Sequence, residues 1–450
     1  MTELLSKEDI AIAKKTMETA LRAGASAVRV SLNKTITDLC GTLDGELDKV
    51  SHSLDRSLGI SIFCDGKFGT FSTNRLSGTD MDSFILSAVE TVRMMEPDSC
   101  RSLPAPGRTA ANALTGNELD LLDADFGLFG GKERTETALS ASVWDRKGTV
   151  EKGFILKSEE IEYSENIYDS VLMDSAGLFA RHSETSFDIG CQVTLETPDG
   201  GMYSSYWWNS SPRRKDLLPT IEGCSAKAVE KAAAQIGAAH SDGGKFNMVV
   251  DTECASRLLS PVLSALGGYS IQQKNSFLEG KAGEKVFSDN FTVTDRPFEK
   301  GRTGSKLFDS EGVATKEWTV IENGVVNGYF INTYIAAKTG LVPTCEDAAR
   351  PCLKPFGGCI TRDDVLQKMG SGILVTGFNG GNSNTSTGDF SYGIEGFIFE
   401  DGKIVKPVRE MLVTGNFISL WKSLAAVAED SRPCMSKVVP TIAFTNVDFR

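Results

Sequence analysis

Asp401-Gly402 stands between two runs that each read as extended chain, 387–400 and 403–405. Asp-Gly in that setting favours a two-residue type I′ turn, because both turn residues need positive φ. The chain from 387 to 404, Thr387 through Ile404, is therefore expected to fold back on itself as an antiparallel hairpin. A polar, glycine-rich loop is expected over 377–389. A strand should follow, with Ile394, Phe397 and Phe399 as its apolar residues. A loop held by a regular hairpin can present polar groups to a ligand. The alternative is an ordinary surface loop on a β-domain. Two further Asx-Gly turns, Asp65-Gly66 and Asn323-Gly324, have the same form and give weak support for a duplicated design.

Elsewhere the pattern alternates between helix and sheet. Ser6 is placed to cap a helix from Lys7, with Asp9 as its capping-box partner and Ile10, Ala13, Met17 and Leu21 as its apolar stripe. Residues 27–32 alternate as a strand. A second helix is expected over 80–95, with Phe84, Ala88, Val92 and Met95 on one face. Residues 97–131 are broken by Pro and Gly and read as a linker or crossing segment. A helix over 132–146 follows, then period-two sheet over 150–208. There Thr185, Phe187, Ile189, Cys191, Val193 and Leu195 share a side, and 198–200 form a turn. Further helices are expected over 218–236, over 253–266 with an interruption at Pro261, and from a Thr361 cap to Gly370.

The fold class expected is α+β, with an N-terminal helix/sheet layer, an antiparallel-sheet middle region and a strand-rich C-terminal domain with short helices. The expected domains are 1–106, 107–238 and 239–450, in keeping with roughly 150 residues per domain in a chain of 450.

Charge and residue inventory narrow the chemistry. The net charge is −13, the pI is about 5.0 and no Lys/Arg-rich run occurs, which weighs against direct nucleic-acid contact. There is no signal peptide pattern and no apolar run approaching a bilayer span, so a cytoplasmic location is expected, with the ten cysteines as thiols. Cys345, Cys352 and Cys359 recur every seven residues, but Pro351 and Pro355 break any helix that would align them. Only three histidines exist, His52, His182 and His240, none with a second ligand at metal-binding spacing. Gly-x-Ser-x-Gly and the Walker A pattern are absent. Asp389 and Glu395 can be nominated as a carboxylate pair. Trp207-Trp208, beside Tyr203 and Tyr206, suits either a subunit interface or the sheet's own core.

Phe308-Asp309-Ser310-Glu311-Gly312-Val313, Ile321-Glu322-Asn323-Gly324, Thr387-Gly388-Asp389-Phe390-Ser391-Tyr392-Gly393 and Gly415-Asn416 resemble, in order and spacing, the PmbA/TldE branch of the TldD/PmbA family. The resemblance covers roughly residues 10–450 and is carried chiefly by the C-terminal motifs. It implies a paired protease. TldD-type subunits carry a His-Glu-x-x-x-His helix and a later cysteine that bind zinc, and they cleave small or unfolded peptides. PmbA/TldE-type subunits share the fold without the metal helix. That helix falls here at 257–263, where Arg257-Leu258-Leu259-Ser260-Pro261-Val262-Leu263 replaces the ligands, and Cys434 lies near the ligand cysteine's place.

The resemblance thus implies a subunit with no catalytic residue, metal ligand or cofactor of its own, with zinc on a TldD-like partner. Gly388, Asp389, Ser391 and Tyr392 are the expected peptide-contacting residues. The alternative is a stand-alone homodimeric binding or regulatory protein. The family's older label, modulator of DNA gyrase, gains no support from this acidic chain as direct DNA contact.

Overall fold

The structure is a computed structural model that describes residues 4–76, 79–144 and 153–450. It divides into two compact units. The first runs from the N-terminal side through Ala233 and takes in Phe298–Thr315 and Ala336–Gly340. The second comprises Ala234–Pro297, Lys316–Ile335 and Leu341–Arg450. Both mix helix with sheet, as the α+β reading expects.

The first unit is one six-stranded antiparallel sheet. Its strands are β1 (Ala27–Leu43), β2 (Glu46–Cys64), β3 (Lys67–Thr73), β4 (Ile155–Asp174), β5 (Phe179–Glu196) and β6 (Met202–Ser211), in the order β3-β2-β1-β4-β5-β6. Two-residue turns set the β1–β2 and β2–β3 registers. Asp44 and Gly45 have φ of 52° and 77°, Asp65 and Gly66 52° and 73°, as a type I′ turn requires. The helix Lys7–Arg22 begins at the expected Ser6/Asp9 capping box. With Thr79–Met94 it covers Val28, Val30, Leu32, Leu58, Ile60 and Ile62. At the other end of the sheet, Phe187, Ile189, Cys191, Val193 and Leu195 are buried against Ala138, Ala228 and Ala232. Thr185 is buried on the same side.

Several boundaries differ from expectation, each for a physical reason. β1 extends to Leu43 because β2 and β4 pair with it along nearly its whole length. The core face of Thr79–Met94 is Met81, Ile85, Ala88, Val89 and Val92, with Phe84 half-buried and Met95 exposed. The helix expected over 132–146 is Gly131–Ser140; residues 145–152 lie outside the described residues. Of the helix expected over 218–236 only Cys224–Ala234 is α-helix; Leu218–Thr220 is a 3-10 turn that follows the short helix Arg214–Leu217, since Pro219 offers no N–H to continue it.

The second unit holds β7 (Gly244–Val250), β8 (Val293–Asp295), β9 (Trp318–Glu322), β10 (Val325–Val326), β11 (Pro351–Leu353), β12 (Gly372–Ser383), β13 (Asp389–Glu400), β14 (Lys403–Asn416), β15 (Leu424–Val427) and β16 (Ile442–Phe449). One sheet is β10-β9-β8-β11. The other is β14-β13-β12-β7-β16-β15, and an added β14–β16 pairing joins five of its strands into a ring. β7 and β12 are parallel. The Asp401-Gly402 turn is present, with φ of 49° and 71°.

Here the expected loop over 377–389 is corrected. Most of it is strand β12, paired with β13 through Ser383↔Phe390. Glycine is what allows it: at Gly381, φ +84°, a Cβ would collide with the Ser391 carbonyl. The helix Ser256–Ala265 also runs through Pro261 without interruption. Burial of Leu258, Leu259, Val262 and Ala265 outweighs the roughly 3 kcal/mol that an interior proline costs.

Candidate functional site

The connection left between β12 and β13 is 384–388, and its shape is fixed by short-range bonds. Gly388 N donates to Asn384 O at 2.7 Å, and Asn384 N donates to Asp389 O at 2.8 Å. Asn384 Oδ1 accepts from Ser386 N at 2.9 Å. Gly388 has φ +81°, and a Cβ there would press on the Phe277 ring at 3.1 Å. Phe277 N donates to Thr385 O, and the Ser386 hydroxyl bonds Asn275 Oδ1.

Asp389 sits at the mouth of this connection, exposed but not loose. Asn416 Nδ2 donates to its Oδ1 at 2.9 Å and to Thr387 O at 2.8 Å, while Thr387 Oγ1 donates to its Oδ2 at 2.7 Å. The Asn416 amide first, and then the Thr387 hydroxyl, hold the Asp389 carboxyl below the usual carboxylate range. Asn416 itself is fixed because its Oδ1 caps the helix Phe417–Lys422 through Ile418 N at 3.0 Å.

Beneath the connection lies an aromatic ladder. Phe277 stacks on Phe417 at 6.1 Å, Phe417 on Phe390 at 4.8 Å, and Phe390 on Tyr392 at 5.5 Å. Arg257, on the helix Ser256–Ala265, places its guanidinium 5.0 Å from the Tyr392 ring centre, within cation–π range. One turn on, Lys437 Nζ donates to Ser260 Oγ at 2.9 Å.

Of the four residues expected at the site, Gly388 is therefore on the connection, Asp389 is the first residue of β13 beside it, and Ser391 is half-buried further along β13. Tyr392 is buried in the ladder at 1% exposure. Asn416, quoted in the Gly415-Asn416 motif, and Arg257, at the metal-helix position, are not among the residues the sequence places at the site, and Lys437 is not singled out at all. Asn416 carried a signal, an Asx residue just before the apolar helical run Phe417-Ile418; the other two carried none.

The helix Ser256–Ala265 does not suit a divalent cation. Its residues around Arg257 offer a guanidinium, buried leucines, a proline, and a hydroxyl that already meets an ammonium. No group of three His, Cys, Asp or Glu side chains able to hold a metal ion occurs among the described residues. Cys434, Cys345, Cys352 and Cys359 are buried thiols. His52 Nδ1 lies 2.8 Å from Asp38 Oδ1, His182 Nε2 3.3 Å from Glu184 Oε2, and His240 Nδ1 3.0 Å from Glu410 O.

Asp389 and Glu395 are six positions apart on one strand, roughly 20 Å at about 3.3 Å per residue. That exceeds the ~5–10 Å of a glycosidase pair, so no paired-carboxylate chemistry follows. Trp207 packs on the core, and Tyr206, Trp207 and Trp208 together line a hollow of about 270 Å³ with Glu160, Glu162 and Gln192.

Three family models match the chain: PmbA/TldA metallopeptidase domain 1 over 28–92, the central domain over 133–236 and the C-terminal domain over 243–450. A relative from Haemophilus influenzae, called metalloprotease PmbA homolog, is 28% identical over 420 residues, which are 92% of this chain and 90% of that one. A crystal structure from Bacteroides thetaiotaomicron, named for a suggested role as a modulator of DNA gyrase, is 35% identical. It covers 99% of both chains with a TM-score of 0.93. TldE from Thermococcus kodakarensis shares the fold at TM-score 0.80, with 18% identity over 97% of this chain and 99% of that one.

Proposed function

The chain belongs to the PmbA/TldD metallopeptidase family, and on that premise we propose that it is the non-metal subunit of a TldD–TldE-type zinc protease acting on small or unfolded peptides. Zinc and the general base come from a TldD-like partner. This chain contributes a wall of the peptide cleft and fixes the peptide's register.

The observation that carries this reading is the outer edge of β12. β7 pairs with β12 only through Ile373, Leu374 and Val375. From 376 to 383 the side facing away from β13 has no strand beside it among the described residues, and 379–383 are exposed. An extended peptide can add itself to such an edge by main-chain hydrogen bonds, with side-chain pockets setting its register. At the end of that edge stand Gly388 and the braced Asp389, a fixed negative group suited to a peptide's N-terminal ammonium or a basic side chain. Ser391 and Tyr392 act behind them on β13, Tyr392 by holding the aromatic ladder against Arg257. The Lys437–Ser260 and Arg257–Tyr392 contacts, at the position where a catalytic subunit would carry its metal helix, support a structural use of that helix in this chain.

The test is affinity purification from the native host with quantitation of co-purifying chains and of metal. The proposal expects a TldD-like chain in near-equal amount, and zinc that departs with it. Stoichiometric zinc retained by the homogeneous chain refutes it.

A further inference from the structure

Among the described residues, the outer half of β2 is a long uncovered edge of the first unit. β3 pairs with β2 only from Leu58 to Cys64, so residues 46–57 have β1 on one side and, among the described residues, no strand on the other. Every residue from 46 to 55 is exposed. Val50 and Leu54 stand 65% and 54% exposed. They share a face with Cys40 and Ile36, their partners on β1, and Cys40 is part of the core. An open edge with apolar side chains on its core-side face is a template for another strand.

The sequence of this edge is complementary to itself. A two-fold axis perpendicular to the sheet keeps each side chain on its own face, so only registers pairing residues of like parity are open. Centred on His52, Val50 meets Leu54 of a second copy, Lys49 meets Asp55, and Ser51 meets Ser53, each contact occurring twice. Where the regular register ends, at the β1–β2 irregularity beside Gly41/Thr42, Asp48 comes opposite Arg56. Moving the axis to Ser51 sets Val50 against His52 and Leu54 against Asp48. Moving it to Ser53 sets Val50 against Arg56 and Leu54 against His52. Of these three registers the His52 one alone pairs apolar with apolar and opposite charge with opposite charge, the combinations that stabilise cross-strand neighbours. Lys49 Nζ donates to Glu162 Oε1 at 2.8 Å across Gly41, an exposed contact that it exchanges for Asp55 of the second copy when the strands pair.

We propose that β2 pairs antiparallel with β2 of a second copy of this chain, centred on His52, so that two six-stranded sheets become one continuous sheet. This interface is independent of any catalytic partner and of the β12 edge.

Sedimentation of the full chain tests it. The wild type is expected to reach twice 48.5 kDa in a concentration-dependent manner. K49D and D55K each place like charges opposite one another and should raise the dimer dissociation constant roughly tenfold or more. The combined K49D/D55K chain restores opposite signs and should return to within about threefold of wild type. H52C in the otherwise native chain should cross-link to a covalent dimer on mild oxidation. D55C should not, because in this register the two Asp55 positions lie roughly 20 Å apart. A monomeric wild type, a dimer indifferent to both single swaps, or equal cross-linking of H52C and D55C overturns the proposal. So does loss of a TldD-type subunit, rather than of self-association, on charge reversal.

Discussion

Asp169 in the first unit and Asp389 in the second are both aspartates on β-strands, and both carboxyls are held below their ordinary range. The means are opposite. Asp169 is buried, and burial alone would raise it. The Arg181 fork, the Leu5 N–H at 2.8 Å and the Ser183 hydroxyl at 2.8 Å overcome that. Asp389 is in open water, and neutral donors, Asn416 and Thr387, are already turned toward it. The first carboxylate has spent its bonding capacity on the fold, tying β4 and β5 to the start of the N-terminal helix. The second is oriented in place yet remains accessible. A braced, solvent-facing charge is what a recognition site needs.

The comparison breaks most visibly at Arg181. Replacing it with alanine strands the Asp169 carboxylate in the interior and should cost about 3–5 kcal/mol, read by chemical denaturation. Loss below about 1 kcal/mol would mean that the buried pair is not what holds that corner together. The same carboxyl sets a pH signature. Because its folded pKa is depressed, its contribution is complete above the unfolded value of about 3.9 and is lost as pH falls through the lower folded value. D169N should therefore flatten the acid limb of a stability–pH curve; D389N should act in the same direction but by much less, because water screens the bonds of an exposed carboxylate.

Next in size is G381A. A side chain at φ +84° against the Ser391 carbonyl should cost about 2–3 kcal/mol in thermal unfolding. Near-neutral behaviour would return 377–389 to a loop. N416A removes a helix cap and should cost about 1 kcal/mol; it should also let the Asp389 carboxyl rise toward its ordinary range, seen by NMR titration. D389N is the smallest in stability, because its carboxylate stands in open water. It should still slow peptide cleavage by the assembled pair several-fold, through KM more than kcat. Equal effects of D389N on stability and on cleavage would remove the contrast between the two aspartates.

What was legible in the sequence is what local physics decides. The Asx-Gly turns, the Ser6 and Thr361 caps and the alternation over 185–195 appear as read, because each depends on residues within a few positions. Asp44-Gly45 belongs to the same class of turn and was passed over. What was not legible depends on partners far along the chain. Glycine-rich 377–383 becomes strand only because β13 supplies a close-fitting neighbour. Pro261 stays helical because distant residues bury that helix's leucines. Arg257 and Lys437 reach the site through contacts spanning 135 and 177 positions, which no periodicity encodes.

Peptide cleavage by the homogeneous chain, measured alone and after mixing with an equimolar TldD-type subunit, tests the central claim most directly. The account predicts no turnover alone and turnover on mixing, with the alone value unchanged by added zinc. Cleavage of an unfolded peptide by this chain by itself, abolished by a chelator, would contradict it.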